Sequence, residues 1–171
     1  MDARQTRNES ELWITDPPYA DAINYLVAEG IIKGYDDNTF RPDVKVNRVE
    51  ALKFILESIG ADIAEGQPPF EDAKDGWFVD YLYTAYQKEI VNGNPDGTFK
   101  PGNNVNKAEF FKILFNGMGV DVNPNITESP YSDVPVDAWF APYLAYAKDI
   151  GVLDADLDKV GPDLPMTRGE V

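Results

Sequence analysis

The sequence predicts a mainly α protein built from three tandem helix–loop–helix repeats, the third of them truncated. Three observations carry that prediction. One block of residues recurs along the chain. Apolar side chains flanking the block return at helical spacing. The last copy stops just where its second helix should begin.

The block is GYDDNTFRPDVKVNRVE, Gly34 to Glu50, and it returns as GNPDGTFKPGNNVNKAE, Gly93 to Glu109. Gly93 stands 59 residues after Gly34, and the same offset joins Phe40 to Phe99, Pro42 to Pro101 and Glu50 to Glu109 without a gap. A third copy is less regular. Tyr131 to Leu153, with Trp139, parallels Phe70 to Val91, with Trp77; VGPDLPMTRGE, Val160 to Glu170, parallels the end of the block after the loss of one loop residue.

Each repeat reads as a short extended lead-in, a first helix, a turn-rich loop and a second helix. In repeat 1 the first helix is expected from about Tyr19 to Glu29, with Ala22, Ile23, Leu26 and Val27 on one face. Asp96-Gly97 marks a turn, and Pro42 and Pro101 cannot continue a helix. The second helix of repeat 1 should bury Val49, Leu52, Ile55, Leu56 and Ile59. In repeat 2 the corresponding stripe is Ala108, Phe111, Leu114, Phe115 and Met118.

The expected boundaries are an N-terminal segment at 1–18 and repeats at 19–60, 70–119 and 131–171, joined by linkers rich in Gly, Pro, Asn and acidic residues. One helix pair cannot bury its own apolar faces, so neighbouring repeats should share a core. Repeat 1 lacks the lead-in aromatic and the aligned tryptophan; Trp13 lies nearby, out of register. The end at Val171 leads us to expect a piece of a longer protein.

Composition narrows the functions. With Asp+Glu 30 against Lys+Arg 15, a net charge of −15 repels nucleic acid and anionic membrane surfaces. No nucleic-acid partner is expected. The absence of Cys and His excludes disulfides, thiol chemistry, histidine-based zinc sites and histidine-dependent triads. No apolar run approaches the roughly 20 residues that span a bilayer, so membrane insertion is not expected. Asn92, Asn94, Asp96 and Gly97 begin like a calcium loop, but Asn103 stands where a bidentate Glu is needed. Asp154, Asp156 and Asp158 begin similarly and lack the glycine. No metal and no cofactor is expected. The many carboxylates sit at repeated positions rather than as one unique pair, so no enzymatic activity is expected.

The feature that asks for a function opens each second helix: Asn47-Arg48-Val49-Glu50, Asn106-Lys107-Ala108-Glu109 and Thr167-Arg168-Gly169-Glu170. Asn or Thr with Glu three residues later is a capping box, which assigns Asn47, Glu50, Asn106, Glu109, Thr167 and Glu170 to helix capping. The box does not explain the cation between them, which faces the positive end of the helix dipole. Arg48, Lys107 and Arg168 could receive a carboxylate or phosphate together with free N–H groups, or could simply pair with a nearby acid. Supporting cations recur at Arg41 and Lys100 in the loop and at Lys53 and Lys112 in the helix; Gly161 takes the loop position in repeat 3. Trp77 and Trp139 could stack on a sugar ring or pack into the core.

Taken together, Tyr131-Ser-Asp-Val134, Trp77 and Trp139, Gly30-Ile-Ile-Lys-Gly34, Asp96-Gly-Thr-Phe-Lys-Pro101 and Thr167-Arg-Gly-Glu170 resemble the S-layer homology family from about Tyr19 to the end. The resemblance implies three repeats in a pseudo-threefold bundle with the second helices near the centre. It implies a module at the bacterial cell surface that anchors its protein to a secondary cell wall polymer, typically with pyruvylated sugars, or to a peptidoglycan-linked glycan. The family's ligand-contacting Arg carries over to Arg48 and Arg168. At Lys107 a point charge replaces the planar fork. The alternative is an assembly module that packs against other copies or another surface protein without recognising glycan.

Overall fold

The computed structural model describes residues 19–37 and 39–171, so the N-terminal segment at 1–18 and Trp13 lie outside the described residues. The described residues contain five helices: α1 (Ala20–Ala28), α2 (Arg48–Ser58), α3 (Val79–Gln87), α4 (Lys107–Gly117) and α5 (Ala141–Asp149). They are the first helices of the three repeats (α1, α3, α5) and the second helices of the first two (α2, α4). In repeat 3, residues 168–170 form a turn.

The chain forms two compact bodies. Among the described residues, those up to Val44 with Thr167–Glu170 make the smaller one, and Lys45–Met166 with Val171 the larger. In the smaller body α1 buries Ile23, half-buries Leu26 and Val27, and leaves Ala22 exposed, a narrower stripe than the spacing suggested.

The larger body has a continuous core. There α2 packs against α3 and α4, and α4 packs against α2 and α5. A helix with neighbours on two sides must bury a wide arc. Accordingly α4 buries Phe110 and Ile113 as well as Ala108, Phe111 and Phe115, while Leu114 is only half-buried and Met118 is exposed. On α2, Val49, Leu52, Ile55 and Leu56 are buried together with Ala51, and Ile59 is exposed at the C-terminal end. Each fully buried Phe or Leu contributes about 1.5–3 kcal/mol by leaving water.

The linker after α2 is not slack. Ala64 N–H donates to the buried Thr84 Oγ1 at 2.9 Å, Gly66 N–H donates to Asp80 Oδ1 at 3.1 Å, and Pro68 is fully buried. These bonds satisfy polar groups that burial would otherwise leave costly.

Three backbone segments meet where the loops enter the second helices. Val46 N–H donates to Met166 O, Met166 N–H to Val105 O, and Val105 N–H to Val46 O, at 2.9–3.0 Å. The three hydrogen bonds close a triangle, one side from each repeat, and all three side chains are buried.

First helices end on a left-handed residue that turns the chain into the loop: Gly30 (φ 73), Glu89 (φ 58) and Gly151 (φ 75). Ile31, Ile90 and Val152 N–H then donate back to Leu26, Ala85 and Ala147 O, closing the six-to-one bond of a glycine-type C-cap. Glu89 adopts that geometry with a side chain attached.

Candidate functional site

The loops are built by carboxylates before any cation is added. Asp37 Oδ1 accepts from Thr39 N–H and Oγ1 in repeat 1, and Asp96 Oδ1 does the same with Thr98 in repeat 2. These bonds to Thr39 and Thr98, helped by Arg41 and Lys100, hold both carboxyls down at about 2. In repeats 2 and 3 a carboxylate of the lead-in clamps the loop. Asp72 accepts from the N–H groups of Phe99 and Lys100 at 2.8 and 2.7 Å, and Asp133 from those of Val160 and Gly161 at 3.0 and 2.8 Å. Burial pushes the Asp133 carboxyl up, but the two N–H donors outweigh it and the net shift is downward.

Asn47 and Asn106 cap their helices. Each side chain accepts from the N–H of Glu50 or Glu109, and each Glu carboxylate accepts from the cap residue's own N–H. In repeat 3, Thr167 N–H donates to Glu170 Oε2 at 2.8 Å, although no helix follows within the described residues.

The cation after each cap reaches into the loop of a different repeat. Arg48 Nε donates to Phe99 O at 2.9 Å, Nη1 donates to Glu109 Oε1 at 2.6 Å, and the guanidinium lies 4.6 Å over the Phe99 ring. Lys107 Nζ donates to Val160 O at 3.0 Å. Arg168 Nε donates to Phe40 O at 3.0 Å and Nη2 to Lys33 O at 3.1 Å, over the rings of Phe40 and Tyr35. Backbone follows side chain: the N–H groups of Arg48, Lys107 and Arg168 donate to Asn103, Leu164 and Val44 O.

One premise of the sequence reading is thereby overturned. The N–H groups that open α4 are not free for an anion, because Lys107, Ala108 and Glu109 already donate to Leu164 O, Pro162 O and Asn106 Oδ1. Each cation ties its own repeat to the loop of another through a backbone carbonyl.

Arg48 nevertheless lines an open groove. A cavity of about 390 Å³ lies between the loop at Val91–Pro95, the α4 side chains Glu109, Lys112 and Ile113, and Trp139. Trp139 is 54% exposed, with Lys112 Nζ 5.2 Å over its ring. Trp77 is 56% exposed and carries Lys53 Nζ at 5.6 Å. The core-packing alternative for both tryptophans is therefore excluded. Their edges are steadied by Phe78 and Tyr81 around Trp77 and by Phe140 beside Trp139.

The loop cations bond within their own turns. Arg41 bonds Asp37 at 2.6 Å and stacks over Tyr35, and Lys100 pairs with Asp96 at 3.3 Å. From the sequence, Lys112 reads as a supporting cation and Glu109 as a cap. The matching positions of Lys53 and Lys112 were the available signal for the first. Nothing in the sequence pairs Glu109 with Arg48.

Helical repeats that clamp one another's loops and leave a cation-and-tryptophan groove at a repeat junction define a repeat-built module. The chain belongs to the S-layer homology domain family, whose model matches residues 14–52, 69–111 and 130–171. Its relatives include an S-layer protein from Bacillus anthracis, 23% identical over 88% of this chain and 19% of that protein. A cellulosome-anchoring protein from Acetivibrio thermocellus is 31% identical over 69% of this chain and 27% of its own length. A cell surface glycoprotein from the same organism is 30% identical over 54% of the chain. The chain thus covers about a quarter or less of most of these relatives' length.

Proposed function

We propose that these repeats anchor the protein that carries them, non-covalently and without catalysis, to the bacterial cell wall by binding an anionic wall polysaccharide. The observation that carries the reading is the groove at Trp139. It offers an exposed indole face for a sugar ring, with the Lys112 ammonium above it and the Arg48 guanidinium in the wall. In a chain of net charge −15, an anionic glycan needs such a local site.

Arg48 uses Nε and Nη1 within the protein, which leaves guanidinium N–H groups for a ligand carboxylate. Trp77 with Lys53 repeats the pairing and takes a second stretch of glycan in this reading. Lys107 and Arg168 act here mainly through the loops they hold, and Arg41 through the turn it ties to Asp37. The names of the relatives, S-layer and cellulosome-anchoring proteins, support a surface location.

The test is co-sedimentation with purified sacculi, with and without their secondary polymer. The wild-type chain sediments with intact sacculi, less so as salt rises, and a Trp139→Ala, Lys112→Ala double variant stays in the supernatant while melting as the wild type does. Undiminished sedimentation by that variant overturns the site. Equal sedimentation with stripped walls overturns the polymer.

A further inference from the structure

We propose that a second, polar subsite adjoins the groove through Arg48, and that Lys100 reads the sugar next to the one stacked on Trp139. The proposal rests on the groove reading above and adds a length requirement to it: the ligand is recognised as at least two linked sugars.

A separate cavity of about 230 Å³ is lined by Arg48, Lys100, Asn94, Asn103, Asn104 and Glu109, among others. Arg48, Asn94 and Glu109 also line the Trp139 groove. The two cavities therefore share a wall, and a chain passing the guanidinium has a pocket on either side.

The chemistry of the two pockets differs. The groove presents an indole, Ile113 and Val91. The second cavity presents amides, two cations and one carboxylate, with no apolar side chain. Side-chain amides both donate and accept, which suits hydroxyl and acetamido groups. Asn103 and Asn104 are exposed and unengaged through their side chains among the described residues, so they are available for such groups. The two cations suit a carboxylate or phosphate substituent between the sugars.

Lys100 keeps a side chain where the backbone disfavours one, as Arg41 does at φ 55° in repeat 1. Its φ is 58°, in the left-handed region, directly before Pro101. A side chain there is disfavoured on its own account, and the residue before proline is pushed away from helical angles as well. Repeat 3 solves the same position with Gly161, at φ 67°. The loop bond that Lys100 contributes is through its backbone N–H to Asp72, which any residue but proline supplies. Its ion pair with Asp96 is 3.3 Å long and about half exposed, the kind that contributes little. The ammonium spends one donor on Asp96 and keeps others for a ligand at the wall of the cavity.

The test is calorimetric titration of the wild-type, Lys100→Gly and Trp139→Ala chains with mono-, di- and trisaccharide fragments of the wall polymer, released by partial acid hydrolysis and separated by size. Glycine suits the backbone at position 100, so that variant keeps its fold. The wild type should gain about tenfold in affinity from one sugar to two, and Lys100→Gly should lose that gain while holding the monosaccharide within about twofold of wild type. Trp139→Ala should weaken all lengths. A wild-type gain retained in Lys100→Gly, or no gain in the wild type, overturns the second subsite and leaves the groove standing. Failure of every fragment to bind the wild type overturns both.

Discussion

Glu109 serves two partners with one carboxylate: Oε2 accepts from Asn106 N–H at 3.1 Å, closing the cap of its own helix, and Oε1 accepts from Arg48 Nη1 at 2.6 Å, from the preceding repeat. A local cap and a tie between repeats are therefore one interaction. The Arg48 side chain is 11% exposed and that of Glu109 29%, so the pair is shielded enough to matter.

Glu109→Ala removes both halves. Asn106 still caps the N–H of residue 109, but the lost bond to Asn106 N–H costs about 1 kcal/mol, and stripping the partner from a largely buried guanidinium adds a further part of the 3–5 kcal/mol typical of full burial. We expect a total loss of about 2–4 kcal/mol by urea denaturation. Glu109→Gln keeps an acceptor for Asn106 N–H and should lose roughly half as much. Equal losses for the two variants would contradict the shared role.

Arg48→Lys separates reach from geometry. Lys107 shows that a lysine at this position can bond the next repeat's loop carbonyl. It cannot also form the second, planar contact to Glu109. Arg48→Lys should therefore cost about 1–2 kcal/mol and Arg48→Ala about 3, compared by chemical denaturation.

Glu89 occupies the left-handed closing position that Gly30 and Gly151 fill elsewhere. Relieving a side chain of that conformation should return about 1 kcal/mol, which for a chain of this size raises Tm by about 2–4 °C. Glu89→Gly should show that rise in thermal unfolding and Gly151→Ala the opposite shift. A lowered Tm for Glu89→Gly would show that the glutamate side chain contributes more than the backbone gains.

Asp37 and Asp96 have carboxyls at about 2 in the folded protein, against about 3.9 in an unfolded chain. A folded-state value below the unfolded one means these groups stabilise the fold above about pH 4 and lose that contribution as pH falls toward 2. Stability measured between pH 5 and 2 should decline across that window, and Asp96→Asn should flatten the decline. An unchanged slope in the variant would detach the loop carboxylate from acid sensitivity.

The repeats, their loops and the capping boxes were legible in the sequence because each is a local pattern. An amide followed three residues later by Glu caps a helix wherever the chain goes, and Asp-x-Thr ties its own turn in repeats 1 and 2 alike. The exposure of Trp77 and Trp139 was not legible, since an indole is equally at home in a core; only the packing of the neighbouring elements left each more than half exposed. Nor was the wide buried arc of α4, which follows from having helices on two sides. The cations at Arg48, Lys107 and Arg168 show the division most sharply. Sequence alone marked them as misplaced against their own helix dipoles and so as residues with a purpose. Tertiary structure decided what holds them, because the acceptors, Phe99 O, Val160 O and Phe40 O, belong to other repeats, 51, 53 and 128 residues away, and no local pattern encodes a bond across that distance.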